Sequence, residues 1–425
     1  MATTGQNKKI HVYADWQGID GPMYMGILHA EHLRGKEIFS FEYDNNWLQS
    51  GNAQLLDLDL KLYPGMQYLN DPRKKIFGMF LDSSPDRWGR ILIRRREAAI
   101  ARKEQRTQNT LFETDYLLGV YDGHRMGGLR FKLDPDGPFL NDNQEMASPP
   151  WTFIRELEEI SLRLEDEDVI NEPQYLKWLA MLVAPGSSLG GARPKANILD
   201  IDSCLWIAKF PGKNDQSDIG GWEIVTYELA MAAGVNMAVA QARKFTTSNH
   251  TFLTKRFDRT KNGERIHFAS AMNLLGRMDG EDHGEGVSYL EMVEFITTMG
   301  ANVNENLEQL WRRIVFSICV SNTDDHLRNH GFILTPKGWV LSPAYDINPV
   351  ETGTGLSLNI SEDDNALDLD LAMEVCPYFR LKDDRAFEIM EEIKTAVRNW
   401  REVANKYGIS VAEQELKAQA FSRAE

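Results

Sequence analysis

The sequence is poor in cysteine and contains no long apolar run. Its 425 residues include three cysteines, which lie far apart in the chain (Cys204, Cys319 and Cys376). We expect these to be buried thiols in a reducing cytoplasm and not a disulfide framework. No apolar stretch approaches the ~20 residues that a membrane-spanning helix needs, and residues 1–9 lack the apolar segment of a secretory signal. These absences predict a cytoplasmic protein with no membrane partner.

Positive charge is also in short supply. The chain has 47 Lys and Arg against 63 Asp and Glu, a formal net charge of −16. This balance disfavours direct binding to nucleic acid or to an anionic membrane over a large area. A basic run from Arg94 to Arg96 is interpreted as a solvated helix face, with a binding patch as the alternative. We find no internal repeat, heptad array or low-complexity tract in the sequence.

What is present is the composition of a globular protein with two or three domains, 42% hydrophobic and 26% charged. Strand and short-helix patterns predict an α/β unit first, and a stretch rich in Pro, Gly and Asp then marks a boundary. Two helices, several strands and a long helical segment follow. We predict an α+β protein with domains at residues 1–145, 150–258 and 259–425. In the last domain, apolar residues at helical spacing predict a buried helix face: Phe387, Met390, Ile393, Val397 and Trp400.

Three side chains suited to phosphate chemistry lie in two short segments toward the C-terminal end. Asp324 and Asn329 are five positions apart in a polar loop after an apolar helix at residues 310–320. Asp346 follows a predicted hairpin at residues 331–341. Phosphoryl transfer requires a carboxylate that orients the attacking hydroxyl, together with an amide and a second carboxylate that hold Mg²⁺. A D-x-x-x-x-N pair alone is a weak signal, and the order of helix, loop, hairpin and second Asp strengthens it.

A lysine at the end of a predicted strand is a second candidate. Lys209 has apolar neighbours, and Glu223 lies fourteen residues later in the first turn of a predicted helix. A strand lysine paired with the carboxylate of a following helix is how a kinase small lobe holds the α- and β-phosphates of ATP. The alternative is a lysine at a sheet edge whose ammonium reaches solvent.

A glycine-rich loop at residues 186–195 offers backbone amides to a phosphate. Gly186 and Gly191 have the spacing of a P-loop, but Ala192-Arg193 stands where Lys-Ser/Thr is required and a strand follows where a helix is required. The loop is therefore not a Walker A motif. Its small residues still allow a close approach of the backbone, and Ser188 supplies a hydroxyl. A plain flexible turn is the alternative interpretation.

A zinc site is the competing interpretation of the polar loop. His326 and His330 are four residues apart, a spacing that binds zinc on a helix. No glutamate follows the first histidine, and the segment is rich in Asp and Asn, which is typical of a loop. The sequence therefore favours magnesium over zinc.

Five motifs occur in a defined order along the chain: Pro85-Asp-Arg-Trp-Gly89, Ser188-Leu-Gly-Gly-Ala-Arg-Pro-Lys195, Lys255-Arg-Phe-Asp-Arg259, Asn322-Thr-Asp-Asp-His-Leu-Arg-Asn329 and Ala344-Tyr-Asp-Ile347. With them the chain resembles the HipA-type serine/threonine kinase toxins of type II toxin–antitoxin systems over nearly its whole length. The resemblance implies a bilobal protein-kinase-like core, with a small mixed-sheet lobe and a helical large lobe, after an N-terminal subdomain of the HipA type.

The resemblance also implies ATP and Mg²⁺ as cofactors and gives residues their roles. Asp324 would be the catalytic aspartate, and Asn329 and Asp346 would be the magnesium ligands. Lys209, paired with Glu223, would contact the ATP phosphates. The other nucleotide contacts would come from loop and hinge residues: Ser188, Gly190, Gly191, Lys195, Lys255 and Phe257.

Members of this family phosphorylate a serine near the ATP site of an aminoacyl-tRNA synthetase, best known for the glutamyl enzyme, and so arrest translation. Ser188 matches the serine that such kinases autophosphorylate, which ejects the loop and shuts the enzyme down. A small DNA-binding antitoxin, HipB, neutralises them. The resemblance thus implies a HipB-like partner, through which nucleic acid is reached only indirectly.

The chain departs from the family pattern at three positions. Lys255 precedes Arg-Phe where some relatives carry an acidic residue, which changes the side chain available for an adenine contact. Asp325 replaces the usual glycine, where it would either stiffen the loop or add charge near the metal. Arg328 replaces a lysine, which keeps the charge but changes its geometry.

Two other functions remain open from the sequence. A kinase that acts on a small metabolite or antibiotic would share the D-x-x-x-x-N pair and the later Asp, but it has no place for the Ser188 loop or the N-terminal unit. A non-catalytic regulator that binds nucleotide or antitoxin would not require Asp324, Asn329, Asp346 and Lys209 to be intact.

Overall fold

A computed structural model describes residues 7–144, 147–166, 168–183 and 193–425. The chain divides into two compact units. Unit 1 comprises Met1–Ile207 and Asp258–Ala269, and unit 2 comprises Ala208–Phe257 and Ser270–Glu425. Helices and antiparallel strand pairs in both units confirm the predicted α+β class. The predicted division into three functional domains is a different question, and it stays a prediction.

Unit 1 is built on a five-stranded antiparallel sheet with the order β4-β3-β2-β1-β5. The strands are β1 Lys8–Ala14, β2 Met23–Leu33, β3 Lys36–Tyr43, β4 Met66–Tyr68 and β5 Leu129–Lys132. Residues alternate across the sheet, so that Ile10, Val12 and Ala14 are fully buried. The Phe80 ring packs on the same face, 5.9 Å from the ring of Phe131. This face of the sheet is the core of unit 1.

The helices of unit 1 lie between and after these strands. They are α1 Asn45–Gln49, α2 Gly78–Asp82, α3 Arg87–Lys103, α4 Glu113–Gly119, α5 Ile154–Arg163 and α6 Tyr175–Val183, and the short strand β6 Lys195–Leu199 follows α6. Strand β7, Leu205–Lys209, pairs with β6 and continues into unit 2, since the division falls between Ile207 and Ala208.

The aspartate that precedes helix α3 makes two contacts, one with each carboxylate oxygen. One carboxylate oxygen of Asp86, Oδ1, accepts a hydrogen bond from the Gly89 backbone N–H (2.8 Å) and so caps the helix. The other, Oδ2, lies 2.7 Å from Lys195 Nζ at the start of β6. Both side chains are almost inaccessible, at 1% for Asp86 and 2% for Lys195. A buried ion pair thus joins α3 to β6 within unit 1.

Unit 2 is mainly helical. Its helices are α7 Ile219–Ala232, α8 Ala271–Leu274, α9 Tyr289–Met299, α10 Val303–Cys319, α11 Leu369–Val375, α12 Asp383–Arg398, α13 Trp400–Lys406 and α14 Val411–Lys417. Two antiparallel strand pairs accompany them, β8 Ala240–Arg243 with β9 Thr251–Lys255, and β11 Gly331–Thr335 with β12 Gly338–Leu341. The last pair is the hairpin that the sequence predicted. A short strand, β10 Phe268–Ser270, begins in unit 1, to which Phe268 and Ala269 belong, and ends at the start of α8.

Helix α10 forms the centre of unit 2. Its second half is buried on every side, and the Trp311 indole N–H donates to the carbonyl of Ala372 (3.0 Å). A second cluster stacks the Trp400 ring on Phe421, with centroids 4.6 Å apart and planes 11° from parallel. Because the polar loop begins where α10 ends, the buried helix fixes the position from which that loop departs.

Three details differ from the sequence predictions. Phe387 on α12 was expected in the core but is 55% exposed, whereas Met390, Ile393, Val397 and Trp400 are buried as predicted. The predicted strand at residues 251–257 ends at Lys255. Cys204 is half-buried, while Cys319 and Cys376 are buried thiols. Among the described residues, no helix is both long and apolar enough to cross a membrane.

The ion pair of Asp86 and Lys195 predicts a stability change. Asp86→Asn keeps a good helix cap and removes the charge, so it takes away the carboxylate charge that lies 2.7 Å from the buried Lys195 ammonium. Breaking a buried pair in this way costs about 3–5 kcal/mol of unfolding free energy. Urea denaturation followed by tryptophan fluorescence measures it. The control is Asp71→Asn, which removes the exposed pair with Arg73 (2.7 Å) and should change stability little. Equal urea midpoints for the two variants would contradict the prediction.

Candidate functional site

A buried lysine connects three segments of unit 2. Lys209 is the last residue of β7, and its Nζ lies 2.6 Å from Glu223 Oε1 on α7 and 2.7 Å from Asp346 Oδ1. Burial alone would lower the pKa of Lys209, but the charges of Asp346 and Glu223 outweigh it and raise that pKa above its ordinary value. The lysine is therefore cationic, and the structure brings together three residues that the sequence singled out.

The backbone around Asp346 is also held in place. Asp346 has φ = +58°, in the left-handed region that non-glycine residues seldom adopt and that aspartate tolerates better than most. Just before it, the Ala344 N–H donates to the carbonyl of Asn236 (2.7 Å), and the Ala344 carbonyl accepts from the Ala238 N–H (2.9 Å). This pairing fixes where the Asp346 carboxylate points.

Asp324 lies at the start of the polar loop, with its side chain exposed to solvent. Partial loss of hydration raises the pKa of its carboxyl, and the charges of Asp346 and Asp325 raise it further, while His326 opposes them. The two carboxylates therefore repel each other electrostatically. A cavity of about 230 Å³ opens beside Asp324, with Asp279 and Arg328 among its lining residues.

Asn329 stands in a short 3₁₀ turn, Leu327–Asn329, at the other end of the loop. Its Nδ2 donates to the Asp324 carbonyl (2.9 Å). Its Oδ1 is buried and accepts no hydrogen bond from the described residues. A buried carbonyl oxygen without a donor is costly, and a hard cation is a fitting partner for it. Asn329 and Asp346 thus each offer an oxygen of the kind that magnesium prefers.

The two hinge residues that the sequence named also belong to unit 2. The Lys255 backbone N–H donates to the carbonyl of Val239 (2.7 Å), at the end of β9. The Phe257 ring lies 5.8 Å from the ring of Tyr345, the residue before Asp346. Phe257 therefore packs beside the segment that carries Asp346. An adenine contact by Lys255 or Phe257 stays a prediction.

Most of the glycine-rich loop lies outside the part of the chain that the structure describes. Ser188, Gly190 and Gly191 lie outside the described residues. Lys195, the last residue of that motif, is in unit 1, where Asp86 binds its ammonium. The predicted contacts of these four residues with nucleotide stay predictions.

The two histidines of the loop are not arranged on an α-helix. His330 Nε2 lies 2.9 Å from Asp325 Oδ1, and His326 precedes the 3₁₀ turn. Within the described ranges, no group of three or more His, Cys, Asp or Glu side chains is placed to hold a metal ion. A site made of one amide, one carboxylate and phosphate oxygens is of a different kind, and the donor set of Asn329 and Asp346 fits it.

Sequence reasoning overlooked several residues that shape the loop. Tyr289 at the start of α9 donates to Asp325 Oδ2 (2.5 Å). Asn322 Oδ1 accepts from the backbone N–H of Asn348 (3.2 Å), which ties the loop to the segment after Asp346. Asn322 belongs to a motif that the sequence analysis quoted, so its position was available, whereas nothing near Tyr289 in the sequence points to the loop.

Comparison with known proteins relates this chain to a protein family. Residues 187–400, half of the chain, match the family described as HipA-like C-terminal domain. A Haemophilus influenzae protein described as "Putative kinase" is 31% identical over 128 residues, which cover 28% of this chain and 36% of that protein. The matched stretch therefore spans about a third of the relative's length.

A solved structure covers nearly the whole chain. HipA of Shewanella oneidensis MR-1, in a toxin–antitoxin complex with HipB and its operator DNA, aligns with a TM-score of 0.66 and 18% identity. The alignment covers 98% of this chain and 96% of that one. This similarity confirms the HipA-type α+β fold that the sequence predicted.

Proposed function

Because the chain belongs to the HipA-like family, we propose that it is an ATP- and Mg²⁺-dependent serine/threonine protein kinase that acts as the toxin of a toxin–antitoxin pair. The observation that carries the proposal is the contact of Lys209 with both Glu223 and Asp346. A strand lysine, a helix glutamate and a metal-binding aspartate are the parts that hold ATP phosphates in kinases.

The residues of unit 2 divide the reaction between them. Lys209 binds phosphate oxygens through its ammonium. Asp324 accepts a hydrogen bond from the serine hydroxyl and takes its proton as the oxygen attacks the γ-phosphorus. The bond from that phosphorus to the bridging oxygen breaks, and ADP leaves. The raised pKa of Asp324 makes its carboxylate a better proton acceptor near neutral pH.

The metal site would be shared by Asn329 and Asp346. Mg²⁺, when bound, neutralises charge on the phosphates. The buried oxygen of Asn329 that accepts no hydrogen bond from the described residues supports its assignment as a ligand. The hydrogen bond from Asn329 to the Asp324 backbone keeps the metal ligand and the catalytic carboxylate in register.

The substrate and the partner follow from the family resemblance. We propose that the protein substrate is an aminoacyl-tRNA synthetase, with the glutamyl enzyme first, whose phosphorylation arrests translation. The similar structure of HipA is a complex with HipB and operator DNA, which supports a HipB-like DNA-binding antitoxin here. The net charge of −16 supports contact with DNA through that partner and not directly.

A labelling experiment tests this proposal as a whole. The purified protein and radiolabelled ATP are added to a lysate of the source cells, and labelled bands are identified by mass spectrometry. A labelled synthetase serine supports the proposal. Label on a small molecule alone would favour a metabolite kinase, and no transfer at all would favour a non-catalytic regulator.

The first catalytic prediction concerns Asp324. Asp324→Asn removes the proton acceptor and should lower the rate of phosphotransfer by about 10²–10⁴-fold, and it should abolish growth arrest on expression. The matched control is Asp363→Asn, an exposed aspartate of the same unit, which should keep wild-type activity. A fully active Asp324→Asn variant would show that the catalytic assignment is wrong.

The second prediction concerns the metal. Calorimetric titration with ATP should give tighter binding in the presence of Mg²⁺. Asn329→Ala should weaken that Mg²⁺-dependent gain by at least the ~10–100-fold that loss of a second-shell partner costs. Asn304→Ala, at an exposed position, is the control. Stoichiometric zinc in the purified protein, with ATP binding indifferent to Mg²⁺, would contradict the assignment.

The third prediction concerns Ser188. A phosphate on this serine adds about −1.5 to −2 charges, which would repel ATP, and glycines on both sides allow the loop a second arrangement. Incubation with Mg·ATP should add one phosphate by intact mass, and Ser188→Ala should abolish it while Ser187→Ala should not. ATP affinity should fall as the phosphate accumulates. Unchanged affinity in the fully phosphorylated protein would refute this regulation and leave the kinase assignment standing.

A further inference from the structure

Asp325, the neighbour of the proposed catalytic Asp324, points into the protein. Its side chain is 5% exposed, whereas Asp324 is exposed to solvent. The sequence left two roles open for Asp325, stiffening of the loop or added charge beside the metal. Its burial favours the first.

Both oxygens of the Asp325 carboxylate contact other side chains. Oδ2 accepts from the Tyr289 hydroxyl at 2.5 Å, and Ser317 Oγ is 3.4 Å away. Oδ1 lies 2.9 Å from His330 Nε2. These partners stand at the first residue of α9, in α10 and immediately before β11. One side chain therefore ties the loop to three elements of unit 2, and we call Asp325, Tyr289 and His330 the Asp325 clamp.

The partners in the clamp are themselves held. Tyr289 is fully buried, and its backbone N–H donates to the Asn359 carbonyl (3.0 Å). The His330 ring stands at 90° to the Tyr289 ring, with centroids 5.7 Å apart. The His330 carbonyl accepts from the Ala271 N–H (2.9 Å). The backbones of Tyr289 and His330 are therefore hydrogen-bonded to neighbouring segments, and their rings pack on each other beside the Asp325 carboxylate.

The clamp carries charge. Burial would raise the pKa of Asp325, but the charge of His330, 2.9 Å away, and the hydrogen bond from Tyr289 outweigh it and lower that pKa. Burial and the Asp325 charge raise the pKa of Tyr289, so its phenol keeps the proton that it donates. Hydrogen bonds to an ionised acceptor are about twice as strong as neutral ones.

The clamp holds both ends of the loop. Asp325 follows Asp324 directly, and His330 follows Asn329 directly, so the contact between Asp325 and His330 closes the loop on itself. Each functional residue is one peptide bond from a clamp residue. The hydrogen bond from Asn329 Nδ2 to the Asp324 carbonyl lies across the same closed loop.

We propose that Asp325 is a positioning residue whose clamp with Tyr289 and His330 fixes the orientation of Asp324 and Asn329 for phosphotransfer. This inference rests on the proposed kinase function. Because a misplacement of about 1 Å at the reacting atoms costs roughly 10²-fold in rate, loss of the clamp lowers kcat. ATP keeps its contact with Lys209 on another segment, so the KM for ATP rises by less than kcat falls.

The test compares three variants by single-turnover autophosphorylation and by hydrogen exchange; the maximal rate at saturating ATP stands for kcat, and the half-saturating ATP concentration stands for KM. Asp325→Ala should lower kcat by about 10–100-fold, with a smaller rise in the KM for ATP. Asp325→Asn offers an acceptor to Tyr289 and, through the other imidazole tautomer, a partner to His330, so it should recover most of kcat. Tyr289→Phe should fall between them. Tyr378→Phe, at a tyrosine that is 58% exposed, is the control and should match the wild type.

Hydrogen exchange separates this inference from the kinase assignment. In Asp325→Ala, amides of residues 322–330 should exchange faster while those of α12 keep their wild-type rates. An inactive wild type with this exchange pattern would refute the kinase function and support the clamp. Unchanged exchange in the loop, an unchanged kcat in Asp325→Ala, or equal losses in the Ala and Asn variants would overturn the positioning role.

Discussion

The candidate site depends on one buried cation. The ammonium of Lys209 joins the end of β7 to α7 and to the segment of Asp346, which are 14 and 137 residues away in sequence. If the lysine were absent, Glu223 and Asp346 would lose their shared counter-charge in a place where little water replaces it, a loss worth several kcal/mol. Asp346 also keeps a left-handed backbone, which persists only where the surroundings hold it. The ion pair and the Ala344 hydrogen bonds supply that support.

Two adjacent aspartates show how the loop separates chemistry from structure. Asp324 is exposed and has a raised pKa, which suits a group that takes a proton. Asp325 is buried and has a lowered pKa, and each of its carboxylate oxygens contacts a protein side chain. The chain turns at this point, since the His326 N–H donates to the Asp324 carbonyl (3.0 Å). One aspartate can therefore face a substrate while its neighbour contacts the core. The rigidity of the site is therefore built one residue away from the residues that would react.

The sequence was sufficient for local structure and for residue identity, but not for side-chain direction. The pairing of Lys209 with Glu223 was predictable because the end of a strand and the helix that follows it lie close in the chain. The predicted start of that helix was wrong, since α7 begins at Ile219 and Glu223 is in its second turn. The contact of Lys209 with Asp346 was not predictable, since it depends on the packing of segments 137 residues apart. Helical periodicity correctly predicted four of the five core positions, three on α12 and Trp400 at the start of α13, and failed at Phe387. A periodic pattern indicates which residues share a helix face, but not how far the neighbouring elements cover that face. The direction of Asp325 was open for the same reason, as its partners lie on α9, α10 and the residue before β11.

The ion pair of Asp86 and Lys195 gives two motif residues a structural role that the sequence did not indicate. Each residue belongs to a different quoted motif, and the resemblance assigned Lys195 to nucleotide. Within unit 1 the two side chains satisfy each other at 2.7 Å, with 1% and 2% exposure. A lysine that left this position for a phosphate would abandon a buried carboxylate that also caps α3, and such a loss costs several kcal/mol. An anchoring role needs no such rearrangement. The structure therefore gives Lys195 an anchoring role in unit 1, and its contact with nucleotide stays a prediction.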